Sequence, residues 1–366
     1  MTNVSTRIAP TPSGWLHPGN GISFLVTWAL ARAMGAGLWL RIDDLDADRM
    51  RPEYVEDIFR TLDWLGIDYD HGPSGPDDFF KRFSQHLRLD LYQKNLEKLR
   101  ESGLLYACNC SRKEIRDLSP DGRYPGTCRD KGLGWEGDGV AWRVRVAPAV
   151  ALWELWRTEE TARRRLGAMA DGGGCPPSPL WGYGGRGMLP DFALGLWRTE
   201  EAGDPMPDRP IEQSNQSNQS NQSNQLIESI EQLTRLMGDF VVRQKNGMPA
   251  YQIASLTDDL LWGINFIVRG ADLLESTAAQ LYLAHCLGEQ AFFQTAFLHH
   301  PLVKDEQGEK LSKSKGAGAL KTWRENGLTP AKLVQQAAGW LGLDGAGIET
   351  ANDLLKVIKG QNPDNQ

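Results

Sequence analysis

Arg7–Gly21, RIAPTPSGWLHPGNG, is the stretch that decides the fold of this chain. The apolar segment Val4–Ala9 predicts a strand, prolines and glycines then break it, and an apolar helix is predicted over Gly19–Met34. A second strand is predicted at Leu38–Ile42. A strand, a glycine-containing loop, a helix and a strand form a βαβ unit, and its first loop presents backbone N–H groups and the positive end of a helix to an anion. We expect this loop to bind phosphate.

The end of the loop, His17-Pro18-Gly19-Asn20, supplies the groups that would contact this phosphate. His17 places an imidazole just before the helix, and Gly19 allows the backbone to approach a ligand closely. A histidine that only caps a helix near the surface is the alternative interpretation.

Composition limits the class of protein. The chain has 366 residues, a net charge of −7 and five cysteines, which allows two or three domains and favours thiols or a metal site over disulfides. The negative charge disfavours a protein that coats nucleic acid nonspecifically, although a local basic face can still dock a structured RNA. Neither a signal-peptide pattern nor a membrane-spanning apolar run is present in the sequence, so we expect a cytoplasmic protein without membrane contact.

Carboxylates follow the second predicted strand in Arg41–Asp46, RIDDLD. The carboxyl end of a strand in an open α/β sheet is where ligands bind, so these groups are candidates for holding an ammonium group or Mg²⁺. A solvated acidic loop is the alternative. Two scaffold helices are expected next, one that begins at Pro52 and one over Phe83–Ser102.

Cysteines cluster in the next segment, where Cys108, Cys110 and Cys128 lie among basic residues and turns. A tetrahedral thiolate site can fold a segment that is too short for its own core, which favours a structural Zn²⁺ site. Ordinary free thiols are the alternative, and the cysteines supply only three of the four ligands. The basic residues around them form a candidate RNA-facing patch.

Low-complexity sequence separates the two halves of the chain. Four Ser-Asn-Gln repeats fill Ser214–Gln225, and we expect Arg157–Gln225 to be a flexible insertion. Further elements are predicted on either side of it, in chain order at Ala141–Val146, Leu226–Met237, Asp239–Arg243, Tyr251–Trp262, Ile264–Val268 and Leu273–Leu287. The lysine-rich segment Lys310–Gly316, KLSKSKG, suits a mobile loop that closes over phosphates, with a basic surface loop as the alternative.

The pair HPGN and KLSKS, in this order, resembles the two ATP-binding signatures of class I aminoacyl-tRNA synthetases. The blocks RIAPTPSG, RIDDLD and YQIASLTDDLLWGINFIVRGADLLEST are similar to those of the glutamyl branch. Only Lys315–Gln366 follows KLSKS, which we expect to be too little for the usual anticodon-binding region. This length and the Cys-x-Cys, Tyr, Cys pattern resemble the truncated paralogue that attaches glutamate to the queuosine base of tRNA(Asp).

The resemblance implies a role for individual residues. The glutamate site would be lined by Arg7, Ala9, Thr11, Asp43, Tyr251 and Arg269. ATP with Mg²⁺ would be bound by His17, Gly19, Asn20, Lys310 and Lys313, of which His17, Lys310 and Lys313 would act in catalysis. Tyr124 would be the fourth zinc ligand beside Cys108, Cys110 and Cys128. Asp43 departs from the family, in which glutamate is usual at this position.

The predicted fold is α/β: a Rossmann-like parallel sheet split by an inserted zinc-binding subdomain, with a short helical C-terminal tail and no anticodon-binding domain. The first half of the catalytic domain is placed at 1–103, the inserted subdomain at 104–238, the second half at 239–300, and the lysine loop with the C-terminal helices at 301–366. A monomer that acts on glutamate, ATP and queuosine-containing tRNA(Asp) is expected. The alternatives are a truncated glutamyl-tRNA synthetase that charges the 3′ end of tRNA(Glu), and an inactive RNA-binding relative.

Overall fold

A computed structural model describes residues 4–119, 123–137, 139–146, 238–302 and 318–360. The predicted insertion Arg157–Gln225, the predicted helix Leu226–Met237 and the lysine loop Lys310–Gly316 lie outside the described residues. Within the described ranges, no helix has both the length and the apolar composition needed to cross a bilayer.

The described chain contains seven strands and ten helices. The strands are β1 (Ser5–Ile8), β2 (Gly37–Leu40), β3 (Leu105–Cys108), β4 (Ala141–Val144), β5 (Val241–Arg243), β6 (Phe266–Gly270) and β7 (Ala296–His300). The helices are α1 (Pro18–Met34), α2 (Pro52–Leu65), α3 (Pro76–Asp78), α4 (Leu89–Glu101), α5 (Arg112–Leu118), α6 (Tyr251–Leu261), α7 (Leu274–Leu287), α8 (Leu320–Glu325), α9 (Ala331–Trp340) and α10 (Ala351–Ile358). Short π or 3-10 segments lie at Phe79–Phe83, Gln85–Arg88, Ala271–Leu273 and Gln290–Gln294.

The predicted βαβ unit is confirmed. β1 pairs in parallel with β2, with Arg7 opposite Trp39. α1 crosses between them and is buried on nearly every side, which explains its apolar sequence. It ends at Gly35, whose φ of 64° lies in the left-handed region that glycine adopts without strain.

The parallel strands follow a doubly wound order. β6 pairs in parallel with β7, and the backbone N–H of Asn265 donates to the carbonyl of Ser5 at 3.0 Å, which places β6 beside β1. On the other edge, a parallel bridge joins His71 to Trp39 of β2. β1 is therefore the central strand. The carboxyl ends of β1 and β6 meet at the point where ligands bind in such sheets.

Helices cover both faces of this parallel sheet. Phe266 and Val268 of β6 pack in the core that contains α1, whereas Ile267 between them packs in a second core with α6 and α7. This alternation is the period-2 pattern of a strand buried on both faces. The predicted C-terminal helical tail contributes α9 and α10, whose buried Leu333 and Leu354 join the core around α1.

A separate antiparallel sheet has the order β3, β4, β5. The strand predicted at Asp239–Arg243 is present at Val241–Arg243, but it pairs with β4 and not with the parallel sheet. The proposed boundary between residues 238 and 239 therefore falls inside the antiparallel sheet, and the parallel sheet resumes at β6. Periodicity identified this strand, but it contains no information on which partner a strand selects.

The helix predicted over Phe83–Ser102 begins only at Leu89. Ser84 is extended, with ψ of 137°, because the Asp44 carboxylate accepts hydrogen bonds from the Ser84 hydroxyl at 2.6 Å and the Gln85 N–H at 2.8 Å. Leu87 in this irregular segment is 54% exposed. Asp44 thus shapes a turn, which is a structural role for one carboxylate of the acidic cluster.

Candidate active site and metal centre

The loop between β1 and α1 opens at the carboxyl edge of the parallel sheet. His17 is the residue that caps α1, and its backbone N–H donates to Asn20 Oδ1 at 3.1 Å. Pro18 and Gly19 begin the helix. The first turn of a helix carries N–H groups without intrahelical partners and the positive end of the macrodipole. The predicted phosphate residues therefore stand at a helix N-terminus, as the sequence indicated.

Buried charged side chains lie beside this loop. Arg7 on β1 donates through Nε to Asp259 Oδ1 at 3.0 Å, and Arg41 after β2 donates through Nη1 to the same oxygen at 2.7 Å. Both arginines and Asp259 are almost completely buried. One carboxylate from α6 therefore holds two guanidinium groups that come from neighbouring strands.

Asp43 is held by Arg41 through both of its oxygens. Arg41 Nε donates to Asp43 Oδ1 at 2.7 Å and Nη2 donates to Oδ2 at 3.2 Å. Burial raises the pKa of Asp43 to about 6, and the neighbouring Arg41 charge opposes this rise. The Asp43 N–H donates to the carbonyl of Pro10 at 2.9 Å, so this acid is tied to the phosphate loop. A carboxylate fixed in this way offers a negative charge to a cationic group.

Arg269 lies at the end of β6 and is nearly completely buried. Its Nη2 donates to Gln280 Oε1 at 2.8 Å, and its Nε and Nη1 have no hydrogen-bond acceptor among the described residues. Burial lowers the pKa of Arg269 to about 10, whereas the nearby Tyr251 phenol acts to raise it. Leaving a buried donor unsatisfied is costly, so these two donor nitrogens suit an anionic ligand.

The cluster as a whole carries an excess of positive charge. Three guanidinium groups, on Arg7, Arg41 and Arg269, face two carboxylates, on Asp43 and Asp259. The adjacent Asp258 is matched by its own partner, because Arg88 Nη2 lies 2.9 Å from Asp258 Oδ2. A ligand with one net negative charge would balance the cluster.

The structure therefore brings together most of the predicted glutamate residues. Ala9 and Thr11 lie in the loop after β1, the former half-buried and the latter exposed, and Tyr251 is the first residue of α6. Lys310 and Lys313 lie outside the described residues. The contacts of Arg41, Asp259 and Gln280 were not predicted, although Arg41 lies in RIDDLD and Asp259 in YQIASLTDDLL. A charged residue in an otherwise apolar buried strand or helix was the signal.

The second site lies at the end of β3, where the Sγ atoms of Cys108, Cys110 and Cys128 are all within 4.8 Å of one another. Tyr124 Oη lies 3.3 Å from Cys108 Sγ and 3.6 Å from Cys110 Sγ. The Cys128 N–H donates to Tyr124 Oη at 2.9 Å. The three thiols form a cluster that could bind a metal ion, and the predicted Tyr124 lies against it.

Asp239 connects this cluster to the antiparallel sheet. Its carboxylate accepts hydrogen bonds from Tyr106 Oη at 2.6 Å and from Arg129 Nε at 2.8 Å. The Val146 N–H donates to it at 2.9 Å. Asp239 precedes β5, so a residue from beyond the low-complexity segment holds the strand and the turn that carry the cysteines.

The sequence matches the family of class I tRNA synthetases (E and Q), catalytic domain, over residues 3–130 and 210–362. The chain belongs to this family, and it is a ligase of the aminoacyl-tRNA synthetase type. The parallel sheet and its helices are accordingly the class I synthetase catalytic fold.

Individual proteins are similar to this chain over most of its length. The chain is 32% identical over 353 residues to the glutamyl-Q tRNA(Asp) synthetase of Nitratidesulfovibrio vulgaris, with 93% of this chain and 87% of that protein covered. It is 34% identical over 354 residues to the glutamyl-Q tRNA(Asp) synthetase of Parasynechococcus marenigrum, with 96% and 88% covered.

Solved structures share the fold at lower identity. A glutamate tRNA ligase from Elizabethkingia meningosepticum, in complex with its amino acid, superposes with a TM-score of 0.59 at 19% identity. That match covers 97% of this chain and 64% of the other, so the chain spans less than two thirds of that structure. A glutamate-tRNA synthetase from Elizabethkingia anophelis gives a TM-score of 0.57 at 18% identity, with 97% and 70% covered.

Proposed function

We propose that this protein activates L-glutamate with ATP and transfers the glutamyl group to the queuosine base in the anticodon loop of tRNA(Asp). The names of its curated relatives support this acceptor. The observation that carries the amino-acid part is the buried cluster with excess positive charge at the carboxyl ends of β1 and β6, beside the helix N-terminus that suits ATP.

Glutamate carries two carboxylates and one ammonium group, and the cluster offers a partner to each end. Arg269, through its unpaired Nε and Nη1, binds one carboxylate together with Arg7. Asp43 faces the ammonium group, and the Tyr251 phenol is close enough to interact electrostatically with Arg269. Ala9 and Thr11 line the approach from the loop. Because Asp43 is already fixed by Arg41, the acid that binds the substrate needs little rearrangement.

Activation then proceeds without a protein nucleophile. A carboxylate oxygen of glutamate attacks the α-phosphorus of ATP, the bond to the β-phosphate oxygen breaks, and pyrophosphate leaves with Mg²⁺. His17, Gly19 and Asn20 at the start of α1, with Lys310 and Lys313 from the lysine loop, stabilise the charge on the phosphates. A hydroxyl of queuosine next attacks the activated carbonyl, loses its proton, and AMP leaves.

We further propose that Cys108, Cys110, Tyr124 and Cys128 hold a structural Zn²⁺. Donor atoms about 2.3 Å from a tetrahedral ion lie roughly 3.8 Å from one another. The separations in the structure are about 0.2–0.5 Å shorter than this: Cys110 Sγ lies 3.4 Å from Cys128 Sγ, and Tyr124 Oη is 3.3 Å and 3.6 Å from the sulfurs of Cys108 and Cys110. The antiparallel sheet and this metal centre form the inserted subdomain. The basic residues around the cysteines face the RNA, and the enzyme acts as a monomer.

The test uses the full chain with labelled glutamate, ATP and bulk tRNA from cells that make queuosine and from cells that do not. We expect label only on queuosine-containing tRNA(Asp), at its anticodon loop. Label at the 3′ end of tRNA(Glu) from both sources would instead support a truncated glutamyl-tRNA synthetase. ATP–pyrophosphate exchange with glutamate, measured without tRNA, separates both from an inactive RNA-binding protein, which would give none.

A further inference from the structure

Arg143 is a buried cation in the middle strand of the antiparallel sheet. Cys108 of β3 is paired with Ala141 of β4, so Arg143 is its diagonal neighbour on the same face of the sheet. Arg143 Nε donates to Cys108 Sγ at 3.4 Å. This donor–sulfur distance is within the range of a hydrogen bond to sulfur, and Arg143 is only 8% exposed.

The same guanidinium also lies against the tyrosine of the cluster. Its central carbon is 3.8 Å from the centroid of the Tyr124 ring, a close cation–π contact. Its Nη1 donates to the carbonyl of Asp239 at 3.0 Å, which fixes the orientation of the planar group. One side chain therefore contacts two of the four proposed metal ligands, and a third contact holds it in place.

The charge of the proposed metal ligands explains why a buried arginine contacts them. Three thiolates carry three negative charges against the two positive charges of a zinc ion, so the centre is anionic even if Tyr124 stays neutral. Arginine remains charged when buried, and an N–H donated to a coordinating sulfur stabilises its negative charge. Two other basic side chains nearby bond elsewhere: Arg129 donates to Asp239, and Lys245 Nζ donates to the Asn109 carbonyl at 2.9 Å.

We propose that Arg143 is a positioning residue of the metal centre. It orients Cys108 Sγ and the Tyr124 ring for coordination, and its positive charge offsets the excess negative charge of the ligands. The proposal rests on the proposed zinc site. Groups that hydrogen-bond a metal's ligands set their orientation and basicity, and losing one typically weakens metal binding by about 10- to 100-fold.

The experiment compares Arg143→Gln, Arg143→Lys and Arg145→Gln in the full chain. Arg145 is a matched control because it lies on the same face of the same chain segment and stacks over the Tyr106 ring at 5.1 Å, while its Nη1 bonds Asp130 at 3.1 Å. The readouts are the zinc dissociation constant, from competition with a chromophoric chelator, and the sulfur-to-metal charge-transfer absorption of the Co²⁺-substituted protein. Neither readout depends on enzymatic activity.

We expect Arg143→Gln to bind zinc about 10- to 100-fold more weakly, Arg143→Lys to fall between it and the parent, and Arg145→Gln to match the parent. The Co²⁺ spectrum should change in both Arg143 variants. Equal affinity in Arg143→Gln and the parent, or an equal loss in Arg145→Gln, would overturn the proposal. If Arg143→Gln fails to fold, by circular dichroism, then Arg143→Lys decides, and a parent-like affinity and spectrum overturn it. A parent that binds no zinc rejects the zinc site itself, whatever the variants do.

Discussion

The two clusters of polar side chains in this protein are proposed to bind ligands of opposite charge. At the carboxyl edge of the parallel sheet, three buried arginines outnumber two aspartates, and Arg269 keeps two donor nitrogens without acceptors among the described residues. In the antiparallel sheet, three thiols and a phenol converge around one arginine. Under the proposed function, the first cluster binds an anionic substrate that is exchanged in each turnover, and the second binds a permanent metal cation.

The clusters also differ in how they are assembled. The arginine–aspartate cluster draws on β1, β2, α6 and β6, which are far apart in the chain. The cysteine cluster draws almost entirely on Cys108–Cys128, with Arg143 and Asp239 as supports. A substrate site thus depends on the whole parallel sheet, whereas a metal can organise a short segment by itself.

If the second cluster is prepared for a permanent cation, removing its ligands should have the largest effect. We expect Cys110→Ser and Cys128→Ser to reduce zinc from stoichiometric to background, because a tetrahedral site without a thiolate loses most of its affinity. Metal analysis of the purified variants measures this. ATP–pyrophosphate exchange should persist, since the parallel sheet is built without the metal.

Cys286→Ser is the control for these variants, because Cys286 is a half-buried thiol on α7 outside the cluster. Zinc retained in both cluster variants, or lost in Cys286→Ser, would show that the metal is bound elsewhere.

The next largest effect should come from Arg269, which tests whether the first cluster is prepared for an anion. Arg269→Gln removes the positive charge and the two unpaired donors, and losing one partner of a buried charged hydrogen bond costs about 2–5 kcal/mol. We expect kcat/KM for glutamate in the exchange reaction to fall by at least tenfold, since about 1.36 kcal/mol corresponds to a factor of ten. The zinc content should be unchanged.

Arg49→Gln serves as its control, because Arg49 is an exposed arginine whose ion pair with Asp46 lies on the surface. If exchange by Arg269→Gln equals that of the control, the unpaired donors do not bind substrate.

A smaller effect is expected from pH, because burial raises the pKa of Asp43 to about 6. Arg41 on one side and Arg7 beyond it favour the charged form, while Asp258 from α6 opposes it. Above pH 6 the ionised acid faces the substrate ammonium group, and below pH 6 it takes up a proton and loses that attraction. We expect KM for glutamate to rise as the pH falls below about 6.

Steady-state exchange between pH 5 and pH 8 measures this profile. Asp43→Asn should show a high KM that no longer depends on pH in this range, and the same pH dependence in that variant would assign the titration to another group.

The smallest effect should follow Asp43→Glu, which introduces the residue that the sequence resemblance implies at this position. The added methylene enters a site where Arg41 already holds both oxygens, and overpacking of this kind costs about 1–3 kcal/mol in the free energy of unfolding. Denaturant unfolding should show this loss, with exchange activity retained. A variant as stable as the parent would mean that the Arg41 contact is looser than the structure indicates.

The sequence by itself determined the local parts of this protein. The βαβ unit, the position of His17 just before α1 and the cluster Cys108–Cys128 were predictable because each depends on residues close together in the chain. Prolines, glycines and cysteine spacing act over one or two turns of backbone. The family blocks then named Arg7, Asp43 and Arg269 as one site.

Only the tertiary structure decided the long-range contacts. Asp259 joins Arg7 to Arg41, Asp44 keeps Gln85–Arg88 out of the following helix, and β5 pairs with β4 rather than with the parallel sheet. Each of these outcomes depends on which group from a distant part of the chain lies next to a carboxylate or a strand edge in the completed fold. Period and propensity describe a segment's own preference, whereas a buried charge is placed by the partners that the completed fold brings to it.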